Sequence, residues 1–329
     1  MRDGNCPVED LQIMKTVTVL IAAICGLMFT GLPASAQNLF FDNLDLDTSA
    51  NYTVSSDADT LATFAYNYSA LGIPSAPNSV GGSTIGLKLE ANNGDTTAAA
   101  AAIGVSPTGR TFAGDIYLRF DMWINANGPF PGGGVGSTQF VTAGVGTAGN
   151  TIHKSSGNAD GTWFGVDGEG GSGIDYRIYL GTGLQTPDAG FYAAGTAADA
   201  RSAANSYYTG RFPGQAPPQF QQDNFPQQTG NVKDGSVGFA WHQMEIAKLG
   251  SGVTWSIDGA LIGNVPSATL SGDNVFVGFW DAFTSISDNP SLSFGLIDNL
   301  RVVQAVPEPN TVALCSMAAI GFFAMRRRK

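Results

Sequence analysis

The sequence predicts an all-β protein folded as an antiparallel β-sandwich. The first observation is alternation: the segment DIYLRFDMWIN (115–125) places apolar residues at every second position, as a half-buried strand does. The second is that residues 37–306 show no sustained apolar period of 3.6 residues, the pattern of an amphipathic helix. The third is the punctuation of the chain by 43 glycines and 16 prolines, which suit the frequent turns of a sandwich.

Other strands are predicted along the same region. They are NLFFDNLDL (38–46), TFAYNY (63–68), TIGLKLEA (84–91), IDYRIYL (174–180), SVGFAWHQMEIAK (236–248), GVTWSIDG (252–259), NVFVGFW (274–280) and LSFGLIDNLRVV (292–303). Two long stretches interrupt the pattern. The glycines of 127–150 indicate backbone crowding or tight turns, and residues 207–232, rich in Pro, Gln and aromatic side chains, are predicted to form an exposed loop.

The N-terminal 36 residues have the pattern of a leader that is removed. Lys15 precedes the apolar run VTVLIAAICGLMF, and Ala34 and Ala36 form an A-x-A cleavage signal. This predicts a signal helix in residues 14–36 and export of the mature protein by the secretion machinery. The acidic residues before Met14 are unlike a signal peptide, so we expect Met14 rather than Met1 to be the initiator. The predicted domains are therefore 1–36, 37–304 and a tail, 305–329.

The composition of the mature region excludes several functions. All three cysteines lie outside residues 37–306, which excludes a disulfide scaffold and cysteine catalysis in this region. The region carries 10 Lys and Arg against 23 Asp and Glu, a formal net charge of −13, and such a surface repels nucleic acid. Twenty of those acids are aspartates, which suit either Ca²⁺ binding or turns.

The second half of the mature region resembles a known fold family. The segment WHQMEIAKLGSGVTWSIDGALIG (241–263) and the final FGLIDNLRVV (294–303) are similar to the hairpins and closing strand of laminin-G-like and concanavalin A-like jelly rolls. Asp258-Gly259 is in addition a type I′ turn signal between two strand patterns. The resemblance covers about 236–303 and implies a jelly-roll sandwich.

The tail resembles the PEP-CTERM sorting signal. Its parts are Pro307, Glu308 and Pro309, an apolar run, and the basic residues Arg326, Arg327, Arg328 and Lys329. The resemblance implies recognition and removal of the tail by a membrane-embedded exosortase, with delivery to the envelope of an exopolysaccharide-producing cell. The apolar run of 311–325 would form a helix of only ~22 Å, against ~30 Å of bilayer hydrocarbon, which suits a transient inner-membrane anchor. A permanent short transmembrane anchor is the alternative.

No sequence motif establishes catalysis. Concanavalin A-like glucanases use E-x-D-x-x-E on one strand, and this motif is absent. The nearest candidates are Asp167 and Glu169 in VDGEGG, which any glycine-rich hairpin would also place together. His153 and His242 belong to no metal-ligand spacing, and G-x-S-x-G does not occur. The sequence favours a noncatalytic protein and leaves an enzyme possible.

Aromatic side chains on the polar faces of strands are candidates for sugar binding. Trp123 projects from the face opposite to the apolar one, together with Tyr117 and Asp121, and Trp163 precedes the VDGEGG segment. Packing beneath a loop is the alternative for both tryptophans. We predict that the other three pack in the core, namely Trp241, Trp255 and Trp280.

Calcium is the one cofactor that the sequence suggests. FDNLDLD near the mature start and LIDNL near its end carry Asp-Asn pairs, and jelly rolls bring their first and last strands together. Asp42, Asp45 and Asp298 are therefore predicted to bind one structural Ca²⁺. Turn capping and cross-strand pairing are the alternative roles of these residues.

Three functions remain open from the sequence. We favour an exported, noncatalytic envelope or extracellular-matrix protein whose jelly roll associates with polysaccharide. The second is a secreted glycan-degrading hydrolase or lyase, which would need carboxylates gathered in a cleft. The third is a structural surface protein without a ligand.

Overall fold

Two antiparallel sheets stacked face to face make up residues 37–94 and 100–305, the part of the chain that a computed structural model describes. The predicted signal helix and the predicted helix of the tail lie outside these residues. The strands are β1 (Asn38–Asp42), β2 (Tyr52–Ser56), β3 (Thr60–Asn67), β4 (Ile85–Ala91), β5 (Ala101–Pro107), β6 (Ile116–Asn125), β7 (Gln139–Thr147), β8 (Thr162–Asp167), β9 (Tyr176–Leu180), β10 (Gly183–Leu184), β11 (His242–Leu249), β12 (Gly252–Ile257), β13 (Ala260–Val265), β14 (Asn274–Asp281) and β15 (Phe294–Gln304).

The strand order is that of a jelly-roll sandwich, which confirms the predicted fold class. The first sheet runs β13-β12-β11-β6-β15-β4-β3, and β1 also pairs with β15. The second sheet runs β10-β9-β8-β7-β14-β5-β2. Within the described ranges, five short 3₁₀ helices lie in the connections, at Ser49–Asn51, Tyr68–Leu71, Val80–Gly82, Pro187–Ala189 and Pro290–Leu292.

The main core lies between the sheets and follows the alternation in the sequence. Leu118 and Phe120 of β6 are buried there, as predicted. Phe164 of the second sheet stacks on Trp255 of the first, with ring centroids 5.0 Å apart, so this pair joins the two layers. Trp255 is thus a core residue, as predicted. Gly144 shows the predicted backbone crowding, because a Cβ added there would lie 2.6 Å from the Cβ of Trp163.

The β12–β13 hairpin has the turn that the sequence predicts. Asp258 and Gly259 adopt φ angles of 51° and 75°, and positive φ at both central residues is the requirement of a type I′ turn. The Asp258 carboxylate also accepts a hydrogen bond of 2.8 Å from the backbone N–H of Gln243, which fixes the turn against β11.

A β-bulge in β15 decides which side chains face outward. Asn299 adopts a left-handed φ of 53°, and the pairing with β6 shifts register between Asp298 and Arg301. Ile297 and Leu300 consequently both face the core although three positions separate them. Arg301 therefore projects from the outer face of the first sheet.

Residues 207–232 form a largely irregular connection that is exposed in part, as predicted, but that also packs on the first sheet through its buried residues. They contain most of helix α1 (Ser206–Thr209) and all of α2 (Gln219–Asn224). Val232 packs with Trp123 in a second cluster, which covers part of the outer face of the first sheet. Gln221 donates a hydrogen bond of 2.8 Å to the Asn125 side chain of β6. The segment lies on the sheet because the aromatic side chains on that face need a cover, and its buried residues provide part of that cover.

The two ends of the described unit, residues 37–305, lie side by side. β1 pairs antiparallel with β15, and the backbone N–H of Gln304 donates a 2.9 Å hydrogen bond to the carbonyl of Gln37. Ala305 donates in the same way to the carbonyl of Asp115. No helix within the described ranges is long and apolar enough to cross a membrane.

Candidate functional site

Four side chains form a straight row across the outer face of the first sheet. Glu245 of β11 is the register partner of Arg119 in β6, Arg119 is the partner of Arg301 in β15, and Arg301 is the partner of Phe41 in β1. Adjacent strands lie about 4.8 Å apart, so the row spans roughly 14 Å. We call these four residues the outer row. That length matches a few sugar rings better than a single small ion.

The Arg119 end of the row is held in place. The Nε of Arg119 lies 2.5 Å from a carboxylate oxygen of Glu245, and both side chains are 31 % exposed. The guanidinium carbon of Arg119 lies 4.7 Å from the centre of the Tyr117 ring, two residues earlier on the same face. This cation–π contact keeps Tyr117 half-exposed beside the row.

Arg301 is held much less tightly. No carboxylate of residues 37–94 and 100–305 forms an ion pair or hydrogen bond with its guanidinium. Like charges directly opposite each other on adjacent strands are destabilising, so the Arg119–Arg301 arrangement favours an anion from outside the chain. Phe41, beyond Arg301, is 52 % exposed and offers an open ring face.

A shallow cavity of about 450 Å³ adjoins this end of the row. The side chains that line it come from β1 and from two neighbouring loops: Asn38, Leu39, Phe40, Phe41, Ala50, Asn51, Thr108 and Arg110. The guanidinium of Arg110 lies 6.0 Å from the centre of the Phe40 ring. The cavity therefore adds two side-chain amides, a second phenylalanine and a further guanidinium group to the ring and guanidinium groups of the outer row.

Neither tryptophan predicted as a sugar platform offers an open ring. Trp123 is 3 % exposed, because Phe239 and Trp241 pack against it under the covering segment. Trp163 is fully buried on the outer face of the second sheet, stacked on Tyr179 with ring centroids 3.9 Å apart. Of the predicted binding residues, only Tyr117 lies beside the outer row at the surface.

Two of the three tryptophans that were predicted to lie in the core pack on the outer faces of the sheets instead of between them. Trp280 is fully buried, but it packs with Trp163 on the outer face of the second sheet rather than between the sheets. Trp241 is half-buried in the second cluster, where its indole N–H donates a 2.7 Å hydrogen bond to the carbonyl of Pro74. Both rings therefore serve the packing of loops onto sheets.

Asp167 and Glu169 lie close together but are enclosed. Asp167 accepts hydrogen bonds from the backbone N–H groups of Glu169, Gly170 and Gly171, so it fixes the turn after β8. Glu169 accepts from the hydroxyls of Ser137 and Thr138, and it is 1 % exposed. Burial raises the pKa of both carboxyl groups, and for Asp167 the neighbouring Glu169 and Asp175 add to it.

The three aspartates predicted as calcium ligands have separate partners. Asp42 accepts a 2.9 Å hydrogen bond from the Tyr52 hydroxyl, and Asp45 accepts one from Ser83. Asp298 instead lies opposite Asp121. In the described residues, no three His, Cys, Asp or Glu side chains gather in a way that could hold a metal ion.

Asp298 and Asp121 are both buried on the outer face of the first sheet. Burial raises the pKa of Asp298 to about 7, and the charge of Asp121 adds to the effect. Asp121 accepts hydrogen bonds from the backbone and the side chain of Asn78. The predicted ligand-binding residue Asp121 therefore lies under a loop, one step along β6 from the outer row.

Sequence reasoning missed Arg119, Arg301 and Phe41. Alternation in DIYLRFDMWIN places Arg119 beside Tyr117, and this signal was available. The sequence could not assign Arg301 to a face of the sheet, because the bulge at Asn299 interrupts the alternation of side chains along β15. Phe41 could not be placed either, because the two adjacent phenylalanines of NLFFD do not say which one faces inward.

Comparison with known proteins identifies the tail. Residues 305–329 match the PEP-CTERM protein-sorting motif, as predicted. The chain is thus an exported, envelope-associated protein that joins a jelly-roll domain to a sorting signal. No curated protein matches the sequence.

Several solved structures are similar in fold at low sequence identity. The carbohydrate recognition domain of Emp46p, in its metal-free form, has a TM-score of 0.42 at 6 % identity, covering 83 % of this chain and all of that one. The endo-β-1,4-glucuronan lyase of the fungus Trichoderma reesei has a TM-score of 0.39 at 10 % identity, covering 82 % and 96 %. A galectin-like protein from Bacillus subtilis has a TM-score of 0.36 at 10 % identity, covering 83 % and 100 %.

Proposed function

We propose that this protein is a noncatalytic envelope protein that binds a carboxylated polysaccharide through the outer row. The observation that carries the proposal is the pair of opposed arginines, Arg119 and Arg301, between the rings of Tyr117 and Phe41. A guanidinium fork matches a carboxylate, and an aromatic face stacks on a sugar ring. The row presents both groups in a line, as a chain of sugars requires.

The positive charge of the outer row, in a domain that is acidic as a whole, supports an acidic rather than a neutral ligand. A surface with a formal net charge of −13 repels polyanions in general, so binding would be confined to the place where positive charge is concentrated. Arg301 has no carboxylate partner among the described residues, and a sugar carboxylate would supply one. The arginine pair thus offers both attraction and selectivity.

The enclosed state of the acidic candidates supports a noncatalytic role. A glycosidase needs two carboxyl groups flanking the scissile bond. The carboxylate of Asp167 is occupied by backbone donors and that of Glu169 by the hydroxyls of Ser137 and Thr138, and both residues are 1 % exposed. A sugar has no access to them in this arrangement.

We also propose that the leader directs secretion and that an exosortase removes the tail. Ala305 is bonded to Asp115 and begins the sorting motif, so removal near Pro307, Glu308 and Pro309 would leave β15 complete. The tail would hold the protein in the inner membrane only until this step. Its basic end, from Arg326 to Arg328, would stay on the cytoplasmic side.

The binding proposal is tested by affinity electrophoresis of the purified protein in gels that contain alginate, polygalacturonate or neutral dextran. We expect retardation by a carboxylated polymer and none by dextran. Arg301→Ala should weaken binding roughly ten- to a hundredfold, because a charge-assisted hydrogen bond contributes about 1.5–3 kcal/mol and each 1.4 kcal/mol is a factor of ten. Phe41→Ala should also weaken it. Binding should fall as salt is added.

Two matched variants serve as controls. Arg211→Ala removes an exposed arginine beside Tyr207, whose hydroxyl contacts β13 at the far end of the sheet. Phe220→Ala removes a phenylalanine that is 45 % exposed. Both should bind like the unchanged protein. Equal binding by Arg301→Ala, or release of sugar fragments that is lost in Glu169→Gln, would overturn the proposal.

A further inference from the structure

The cavity at the Phe41 end of the outer row contains a second arginine without a carboxylate partner. Phe41 belongs to both features, because it is the register partner of Arg301 and also lines the cavity together with Arg110. Arg110 is exposed, and no Asp or Glu within residues 37–94 and 100–305 forms an ion pair with it. Along the surface, Phe41 therefore stands between two arginines that the chain itself leaves unpaired. We call this cavity the β1 cavity.

The β1 cavity has walls of hydrogen-bonded backbone. One wall is β1, and another is the end of the second sheet, where Asn51 directly precedes β2 and Thr108 directly follows β5. The backbone N–H of Thr108 donates a 2.9 Å hydrogen bond to the carbonyl of Asn51, which ties these two segments together. The volume of about 450 Å³ lies within the range of ordinary ligand pockets, about 300–1,000 Å³. A cavity that is formed before binding lowers the cost of ordering a site around its ligand.

The polar side chains of the cavity are open to a ligand. Asn38 and Asn51 are exposed, and neither side-chain amide forms a hydrogen bond within the described part of the chain. An amide both donates and accepts, so it can bind the hydroxyl groups of a sugar. Arg110 lies with its guanidinium carbon 6.0 Å from the centre of the Phe40 ring, and this cation–π contact keeps its charge beside the cavity.

We propose that the β1 cavity binds a second carboxylated sugar beside the one at Arg301, so that the ligand is a polyuronate, a polymer with a carboxylate on every sugar. This inference rests on the proposed function and narrows its ligand. Arg301 takes the carboxylate of one sugar, Arg110 takes that of a nearby sugar, and the Phe41 ring stacks between them. A polymer with isolated carboxylates would supply a partner to only one of the two arginines at a time.

The inference is tested with galacturonate oligomers, from the dimer to the octamer, by isothermal titration calorimetry of the purified protein at low salt. We expect the affinity to rise with length until an oligomer reaches both arginines, by roughly tenfold or more, because a second charge-assisted hydrogen bond is then made. Arg110→Ala should lose this gain, so that the octamer binds it no more tightly than the dimer does. Arg110→Lys keeps the charge but not the planar fork, and it should recover only part of the gain.

The polymer can be changed instead of the protein. Polygalacturonate in which most carboxylates are methyl esters has the same backbone with isolated charges. The unchanged protein should bind it about as weakly as Arg110→Ala binds the free acid. Arg110→Ala should have little further effect on binding of the ester, because its partner carboxylate is already missing. Equal tenfold losses on both polymers would show that Arg110 acts only through general attraction, and that result would overturn the inference.

Two controls separate this inference from a loss of fold and from the proposed function. Arg211→Ala removes another exposed arginine that lies over an aromatic ring, and it should keep the full gain with length. Thermal unfolding should be the same for Arg110→Ala and the unchanged protein, since Arg110 forms no ion pair in the described ranges.

The two arginine variants give different outcomes for the two proposals. If Arg301→Ala weakens binding while Arg110→Ala keeps the gain with length, the inference fails and the proposed function stands. If both variants bind like the unchanged protein, or if the unchanged protein binds neither galacturonate nor mannuronate oligomers, both proposals fail. Weaker binding by Arg301→Ala, together with loss of the length dependence in Arg110→Ala, supports both.

Discussion

Arg119 and Arg301 lie directly opposite each other on β6 and β15, and of the two only Arg119 has a carboxylate partner in residues 37–94 and 100–305. A sheet normally places opposite charges in such positions. The arrangement is therefore a local cost to folding that a bound anion would relieve. Binding surfaces often carry costs of this kind because they are arranged for the ligand.

The first prediction is that neutralising Arg301 stabilises the free protein. Arg301→Gln keeps the stem of the side chain and removes the charge, so the free energy of unfolding should rise by about 0.2–1 kcal/mol at low salt. The gain should shrink as salt screens the repulsion. Urea unfolding at low and high ionic strength measures both effects. Arg119→Gln is the control and should show no gain, since it also breaks the ion pair with Glu245.

The second prediction concerns pH. Burial raises the pKa of Asp281 to about 6, from an ordinary value of 3.8, although Asn92, Phe283 and Gln139 all donate to its carboxylate. The folded protein therefore holds this proton more tightly than the unfolded chain does. Protonated Asp281 therefore stabilises the folded protein fully below about pH 4. This contribution is lost as the pH rises to about 6, and the free energy of unfolding falls by roughly 3 kcal/mol in total.

Asp281→Asn isolates this contribution because it cannot titrate. The amide also faces donors, so the variant carries a constant cost at every pH. The difference in unfolding free energy between the two proteins should nevertheless move in favour of the variant between pH 4 and pH 7. Chemical unfolding at several pH values measures it, and a difference that is constant with pH would contradict the prediction.

The third prediction tests the β12–β13 turn. Gly259 has a φ of 75°, and a Cβ added there would meet nothing within 4 Å. Gly259→Ala should therefore cost only the backbone strain of the left-handed conformation, roughly 1–2 kcal/mol. Gly210 is a matched control with a φ of −76°, where alanine fits. Gly210→Ala should be neutral or slightly stabilising, and equal losses in both variants would refute the argument.

The sequence predicted the strands and the core better than it predicted which side chains are exposed on the outer face of the first sheet. Alternation placed Leu118 and Phe120 in the core, and Asp258-Gly259 placed a hairpin, because both signals are local. The cover over Trp123 is not local, since it comes from residues more than 80 positions later in the chain. An outward aromatic residue in a sequence is therefore a weak sign of a binding site until its neighbours are known.

The candidate site depended on register, which sequence patterns do not give. Arg119 and Tyr117 could be placed on one face from β6 alone. Their meeting with Arg301 and Phe41 required the strand order β6-β15-β1 and the bulge at Asn299. The same bulge places the side-chain amide of Asn299 against Asp121, and no local pattern in the sequence predicts this contact.

The strand that carries Arg301 runs on through Gln304 to Ala305, where the sorting motif begins. If the tail is held in a membrane before its removal while the outer row binds a polymer, tension enters the domain at the end of β15 and reaches the row through Arg301 and the strands paired with β15. Over its length this strand bonds to β6 on one side and to β4 and then β1 on the other. Pulling along the strand would load these hydrogen bonds in shear, so the polymer and the membrane would be joined through β15 and the strands on either side of it.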